Sequence, residues 1–152
     1  MSNIVFNFLD PGDLADNELS LHVHLTELDD SGDEILPTYR FWMLDNHLKT
    51  RLGFINLRIG YGANLILYRG HIGYGVEAEH QGHGYAARAC RLILPLARRH
   101  GIDPVWITCN PDNIASRKTL ERLGAEYVET LVVPEDTEAY WAGARNKCRY
   151  RL

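Results

Sequence analysis

The chain has 152 residues, 45% hydrophobic and 24% charged, which is enough apolar material for one core and a single domain over residues 1–152. Its formal net charge of -4 argues against a general binder of nucleic acid or of anionic membrane. No apolar run approaches the roughly 20 residues needed to span a bilayer, and the N-terminus lacks the basic-then-apolar order of a secretory signal, so a cytoplasmic protein is expected.

The chain opens on an acidic segment. Before Arg40 there is no Lys or Arg, while Asp10, Asp13, Asp16, Glu18, Glu27, Asp29, Asp30, Asp33 and Glu34 all fall there. Such a segment is either a solvated entry into the fold or an acidic wall favouring a cationic amine. From Leu19 to Leu28, Leu19, Leu21, Val23 and Leu25 alternate with Ser20, His22, His24 and Thr26, the period of a half-buried strand. The turn residues Asp29 to Asp33 lead to an aromatic-rich strand from Thr38 to Leu44, so the two should form a hairpin. Leu52 to Ile59 reads as a third strand, and Ile72, Tyr74 and Val76, alternating with Gly73 and Gly75, as a fourth. Glycines inside a strand mark places where another group must approach closely.

Tyr85 to His100 has helical spacing, with Ala86, Cys90, Ile93, Leu94 and Ala97 on one side, a kink expected at Pro95 and a stop at Gly101. Val105 to Cys109 is a short buried strand. Asp112 or Asn113 can cap a second helix that passes through Ile114, Leu120 and Leu123 and stops at Gly124. Tyr127 to Val133 and Lys147 to Leu152 are closing strands around a loop from Pro134 to Asn146. This order predicts an α/β or α+β fold, a mixed sheet with helices on its faces.

Three cysteines, Cys90, Cys109 and Cys148, show neither a disulfide framework nor zinc spacing, and the seven histidines hold no HExxH. His22 and His24 share a strand face but do not by themselves make a metal site, and no metal is expected.

The segment Val76 to Ala87 joins the glycine-bearing strand to the long helix. Gly82 and Gly84 let the loop turn so that successive backbone N–H groups face the positive end of the helix dipole, a cradle for a diphosphate. The loop lacks the Gly-Lys-Ser/Thr of a nucleotide P-loop and the GxGxxG and ribose-binding acid of a dinucleotide site.

This segment is similar to the acetyl-CoA signature of the GNAT superfamily of N-acetyltransferases, Gln/Arg-x-x-Gly-x-Gly/Ala, filled by Gln81, Gly84 and Ala86. Asn113-Ile114-Ala115-Ser116, continuing to Glu121-Arg122-Leu123-Gly124-Ala125, resembles the family's Asn-x-x-Ser/Ala helix that ends in Glu-Lys-x-Gly-Phe. The likeness runs from about Thr38 to Leu152, is closest from Gly70 to Ala125, and extends to small bacterial members carrying Gly-His-Ile-Gly-Tyr before the loop. It implies a mostly antiparallel sheet flanked by helices, with the strand before the loop splayed from its neighbour. Tyr74, Gly75 and Val76 would line the pantetheine and acyl end. Gln81 and the amides of Gly82, His83, Gly84, Tyr85, Ala86 and Ala87 would hold the pyrophosphate, and Asn113 and Ser116 would meet the pantetheine.

The chain also departs from the family pattern. Relatives place a tyrosine acid on the second helix, where this chain has Leu120, and some use a glutamate base on the preceding short strand, where it has Thr108. His71 is then the candidate base or water relay, because amine attack on a thioester benefits from a group titrating near neutrality. Ser116 is the candidate donor to the sulfur, with Tyr140, Tyr150 and Glu77 as further candidates. About ten turn-like residues separate the first two long strands, so the two helices that family members carry there should be shortened or missing. The acceptor side should be open, shaped by Leu65 to Tyr68 and Asp136 to Arg145, or completed by a second copy in a homodimer. Trp141 is either an exposed anchor or loop packing.

The expected function is transfer of an acetyl group from acetyl-CoA to a primary amine, on a small molecule or a peptide, by direct attack in a ternary complex. The alternative is a catalytically idle acyl-CoA sensor or interaction domain.

Overall fold

The computed structural model describes residues 5–32 and 34–152, so Asp33 of the acidic segment and its turn lies outside the described residues. Strands β1 (Leu14–Ala15), β2 (Leu19–Asp29), β3 (Leu36–Asp45), β4 (Arg51–Arg58) and β5 (Ile72–Val76) pair antiparallel in chain order. After them come helix α1 (Tyr85–Arg99), strand β6 (Trp106–Cys109), helix α2 (Ile114–Arg122), strand β7 (Glu126–Val132), the single turn α3 (Glu138–Trp141) and strand β8 (Asn146–Arg151). The last three strands form a second antiparallel sheet in the order β6-β8-β7.

The architecture is the expected α/β one, antiparallel sheet flanked by helices. The sheet is divided, however. Its two parts meet through the bridge between Gly70 and Ile107 and through the His71 N–H, which donates to the Trp106 carbonyl at 2.6 Å. Beyond that point β5 pairs only with β4, and β6 only with β8. The connection between β2 and β3 is too short for two helices. No described helix is long and apolar enough to cross a membrane.

The hairpin of β2 and β3 forms, but the alternation expected through Leu25 does not persist. A bulge between Val23 and Leu25 shifts the register, so Leu25 and Asp29 share a face away from the core, where Leu25 is exposed and Asp29 is buried beside Arg40 and Arg69. An extra residue on one strand inverts the phase of every side chain after it. Tyr39, Phe41 and Met43 of β3 and Ile55 and Leu57 of β4 form the core under α1, which contributes Ala89, Cys90, Ile93, Leu96 and Ala97. Full burial of aliphatic residues such as Ile93 and Leu96 stabilises the fold by about 1.5–3 kcal/mol each. The helix continues through Pro95 and stops where Gly101 takes a φ of 76°.

Periodicity gave no sign of four elements. These are β1, the π-helical turn Leu65–Arg69, the 3-10 turn Ala78–His80, and α3 inside the expected loop. Each is too short to show a repeat.

Candidate active site

Tyr74, Gly75 and Val76 form one wall of a cleft of about 350 Å3. Its floor is the loop Gln81, Gly82, Gly84, Tyr85 and Ala86, and its far wall is Asn113, Ser116 and the exposed side of α2. Gly84 occupies the N-cap position of α1 with φ 75° and ψ 18°, the left-handed region that residues bearing a Cβ rarely adopt. The turn therefore needs glycine there, and no side-chain cap covers the N–H groups of the first helical turn. Gln81 steadies the loop by donating its side-chain amide to the Val76 carbonyl at 3.0 Å. Asn113 caps α2, its side chain accepting from the Ser116 N–H at 3.1 Å.

Of the residues expected to hold the cofactor, all but His83 and Ala87 line this cleft. Ala87 is buried against the core, and the His83 ring sits tilted beside Tyr85 at 5.5 Å. The sequence reading missed His80, Ala115, Lys118, Thr119 and Arg122. Four of these were accessible to reasoning, because positions 115, 118, 119 and 122 fall on one face of a helix. Arg122 reaches the cradle, its guanidinium 3.5 Å from where a Cβ on Gly84 would lie. The cleft therefore offers backbone N–H groups, a helix N-terminus and the cations Lys118 and Arg122, a donor set that fits a diphosphate.

At the strand end of the cleft the Tyr74 hydroxyl lies 2.7 Å from the Ser116 Oγ. Burial pushes the Tyr74 phenol well above its ordinary value, so it keeps its proton at any physiological pH. Leu120, at the α2 position where relatives carry a tyrosine, is fully buried, while the Tyr74 hydroxyl comes across to α2 from β5. Cys109, 4% exposed, lies close by, and burial raises its thiol as well.

His71 has a different environment from the one expected. It is 1% exposed, its Nδ1 accepts from the Trp106 N–H at 2.9 Å, and its Nε2–H donates to the Gly60 carbonyl at 2.9 Å. With one backbone donor and one backbone acceptor the ring must be neutral and of a single tautomer. Burial lowers its affinity for a proton further. No ring nitrogen is left for an incoming amine, so the geometry supports a clamp between the two sheets instead of a base.

The remaining candidates are scattered. Tyr150 is buried, with its hydroxyl accepting from Arg117 at 3.3 Å, and Tyr140 lies under the Arg145 guanidinium at 3.7 Å. Thr108 donates to the Tyr68 carbonyl at 2.9 Å. Trp141 is 65% exposed, with its indole N–H donating to the Glu135 carbonyl. Glu77 is bound by Arg51 at 2.8 Å. Glu77, Glu79 and His80 bring ligand atoms within 4.8 Å of one another, but Glu79 is 74% exposed, an arrangement common on protein surfaces.

Gly73 and Gly75 admit side chains from β4. A Cβ on Gly73 would lie 2.9 Å from the Arg58 guanidinium, and one on Gly75 2.7 Å from the Phe54 ring. The acidic entry segment is engaged internally, since Arg88 holds Asp16 and Glu18 at 2.8 Å and Arg40 holds Glu27 and Asp29.

A split antiparallel sheet, a glycine cradle leading into a helix and a cation-flanked groove beside diverging strands together define an acyl-CoA-binding acyltransferase fold. The profile of the acetyltransferase (GNAT) domain matches residues 15–126, and the chain belongs to this family of acyltransferases. No curated protein sequence matches it. A Vibrio cholerae chain named for ribosomal-protein-serine acetylation superposes with a TM-score of 0.67 at 15% identity, over 95% of this chain and 99% of that one. The ribosomal-protein-S5-alanine acetyltransferase from Vibrio fischeri gives 0.59 at 20% identity, over 76% of this chain and 61% of that one. The microcin C7 self-immunity acetyltransferase MccE, solved with acetyl-CoA and AMP, gives 0.58 at 22% identity, over 76% and 60%. This chain thus spans about three-fifths of the length of the latter two, and likeness at such identities speaks for the fold alone.

Proposed function

We propose that this chain transfers an acetyl group from acetyl-CoA to a primary amine by direct attack in a ternary complex. The observation that carries the reading is the cleft itself, where the glycine cradle, the cationic face of α2 and the Tyr74–Ser116 hydroxyl pair lie along one groove. The cradle and Arg122 suit the pyrophosphate, and Asn113 and Val76 suit the pantetheine arm. The thioester would then lie at the diverging ends of β5 and β6.

Attack by the neutral amine forms the N–C bond and breaks the C–S bond. The amine gives its surplus proton to water, because His71 has no free nitrogen to accept it. The leaving thiolate accepts a hydrogen bond from the Tyr74–Ser116 pair, which stays protonated because burial raises the phenol, and takes its proton from solvent. Ordered hydroxyls at the point where negative charge develops stabilise the transition state more than the ground state.

Calorimetric titration with acetyl-CoA, followed by measurement of free thiol across a panel of amines, tests the proposal. Micromolar binding with amine-dependent thiol release is expected. Binding without turnover on any amine would turn the reading to that of an acyl-CoA sensor.

A further inference from the structure

A second recess, of about 230 Å3, opens where β5 and β6 diverge. Arg58 from the end of β4, Tyr68 and Arg69 from the π-helical turn, Asn110 after β6, Glu138 of α3 and Lys147 of β8 line it. The two recesses lie on either side of β5. Arg58 covers the Gly73 face of the strand while Tyr74, on the opposite face, lines the cleft, and the loop after β6 supplies Asn110 to the recess and Asn113 to the cleft. An amine entering from this side would meet a thioester held in the cleft at the gap between the strands.

The recess is rich in unanswered positive charge. Arg69 pairs with Glu138 at 3.1 Å and more loosely with Asp29 at 3.8 Å, and its Nη1, on the side of Gly32, is buried with no hydrogen-bond partner among the described residues. Arg58 donates to the Gly70 carbonyl at 3.1 Å, and neither it nor Lys147 has a carboxylate within ion-pair distance among the described residues. Glu138 is the one acid that lines the recess, against the cations Arg58, Arg69 and Lys147. Burial and the neighbouring Arg69 push the Arg58 guanidinium down to about 10, and burial lowers Lys147, so both charges are held at a cost that an anion would relieve. Ala139, Ala142 and Ala144 keep the walls short. At roughly 30 Å3 per water-sized group, the space suits one small polar group and a short carbon chain.

We propose that this recess is the acceptor subsite and takes the carboxylate or phosphate of a small primary amine, with Arg58 and Lys147 as the anion ligands. The proposal rests on the acetyl-transfer reading and adds the class of acceptor. It also reverses the preference that the acidic N-terminal segment suggested, because four of that segment's acids, Asp16, Glu18, Glu27 and Asp29, are engaged by Arg40 and Arg88.

The test compares acetylation of β-alanine and O-phosphoethanolamine with that of ethanolamine and putrescine, in the wild type and in Lys147→Gln. The two anionic amines should exceed the other two in kcat/KM by at least tenfold, and the ranking between them tells carboxylate from phosphate. Lys147→Gln should raise KM for the anionic amines about tenfold and leave acetyl-CoA affinity and ethanolamine turnover within twofold. Arg58→Gln, checked for folding, should act in the same direction. Equal efficiency on charged and uncharged amines, a Lys147→Gln effect common to all four, or preference for peptide N-termini whatever their charge would overturn the subsite while leaving acetyl transfer intact. Acetyl-CoA binding with no amine accepted would overturn both.

Discussion

The cleft and the recess lie beside the same diverging strands but hold charge by different means. In the cleft, backbone N–H groups of a glycine loop and a helix N-terminus face the groove, with Arg122 and Lys118 at its exposed edge. In the recess, half-buried side-chain cations project among alanines. Backbone donors are already ordered by the fold and hold any diphosphate of the right size, so they suit a common cosubstrate. Side-chain cations are set by single residues, so they suit the partner that distinguishes one enzyme from another. His71 stands at the junction that keeps both in register.

The largest expected effect is on the cleft. Gly84→Glu forces a side chain onto a left-handed backbone position and puts a carboxylate where the pyrophosphate should bind, and should weaken acetyl-CoA binding by about three orders of magnitude, roughly 4 kcal/mol. Unchanged affinity in a folded variant, read by calorimetry and circular dichroism, would remove the cradle from the comparison.

The junction comes next. His71→Ala leaves the Gly60 carbonyl and the Trp106 N–H without their buried partner, and should cost about 3 kcal/mol, or roughly 10 °C in Tm. The pH dependence has a definite sign. The folded state holds His71 neutral, below its ordinary value of 6.5, so the unfolded chain binds the proton more readily. The stabilisation is complete above about pH 6.5 and is lost as pH falls toward the lowered folded value. Wild-type Tm should therefore drop between pH 7 and pH 5 more steeply than that of His71→Ala. A variant with normal Tm and an altered pH–rate profile would restore His71 as a base.

The smallest effect sharpens the chemistry between the two regions. Tyr74→Phe removes one hydroxyl of the proposed donor pair and should lower kcat about tenfold, roughly 1.4 kcal/mol, with KM for acetyl-CoA nearly unchanged. An equal rise in KM would mark Tyr74 as a binding residue only.

Much of the cleft was legible because its parts are contiguous in the chain. Gln81 to Ala86 and Asn113 to Ser116 are short runs whose glycines, cap and spacing carry their meaning locally. Lys118 and Arg122 were available to the same reasoning through helical period. The recess was legible only in part: Tyr68, Glu138, Ala139, Ala142 and Ala144 fall in the two segments expected to shape the acceptor side, but the cations Arg58, Arg69 and Lys147 come from separate elements and follow no local pattern. His71 was misread for the same reason. Its place before the glycine strand is visible in sequence, but its two partners, Gly60 and Trp106, are supplied by distant backbone.

The main strands along the chain, the two main helices and the glycine loop follow from the sequence alone, because alternation, helical period and glycine conformation are properties of neighbouring residues. Three features were decided by tertiary structure: the bulge that moves Leu25 and Asp29 off the core face, the place, at Gly70, where the sheet divides, and the gathering of cations around the recess. Each depends on which distant backbone or side chain satisfies a buried polar group, and that partner is chosen only when the whole chain packs.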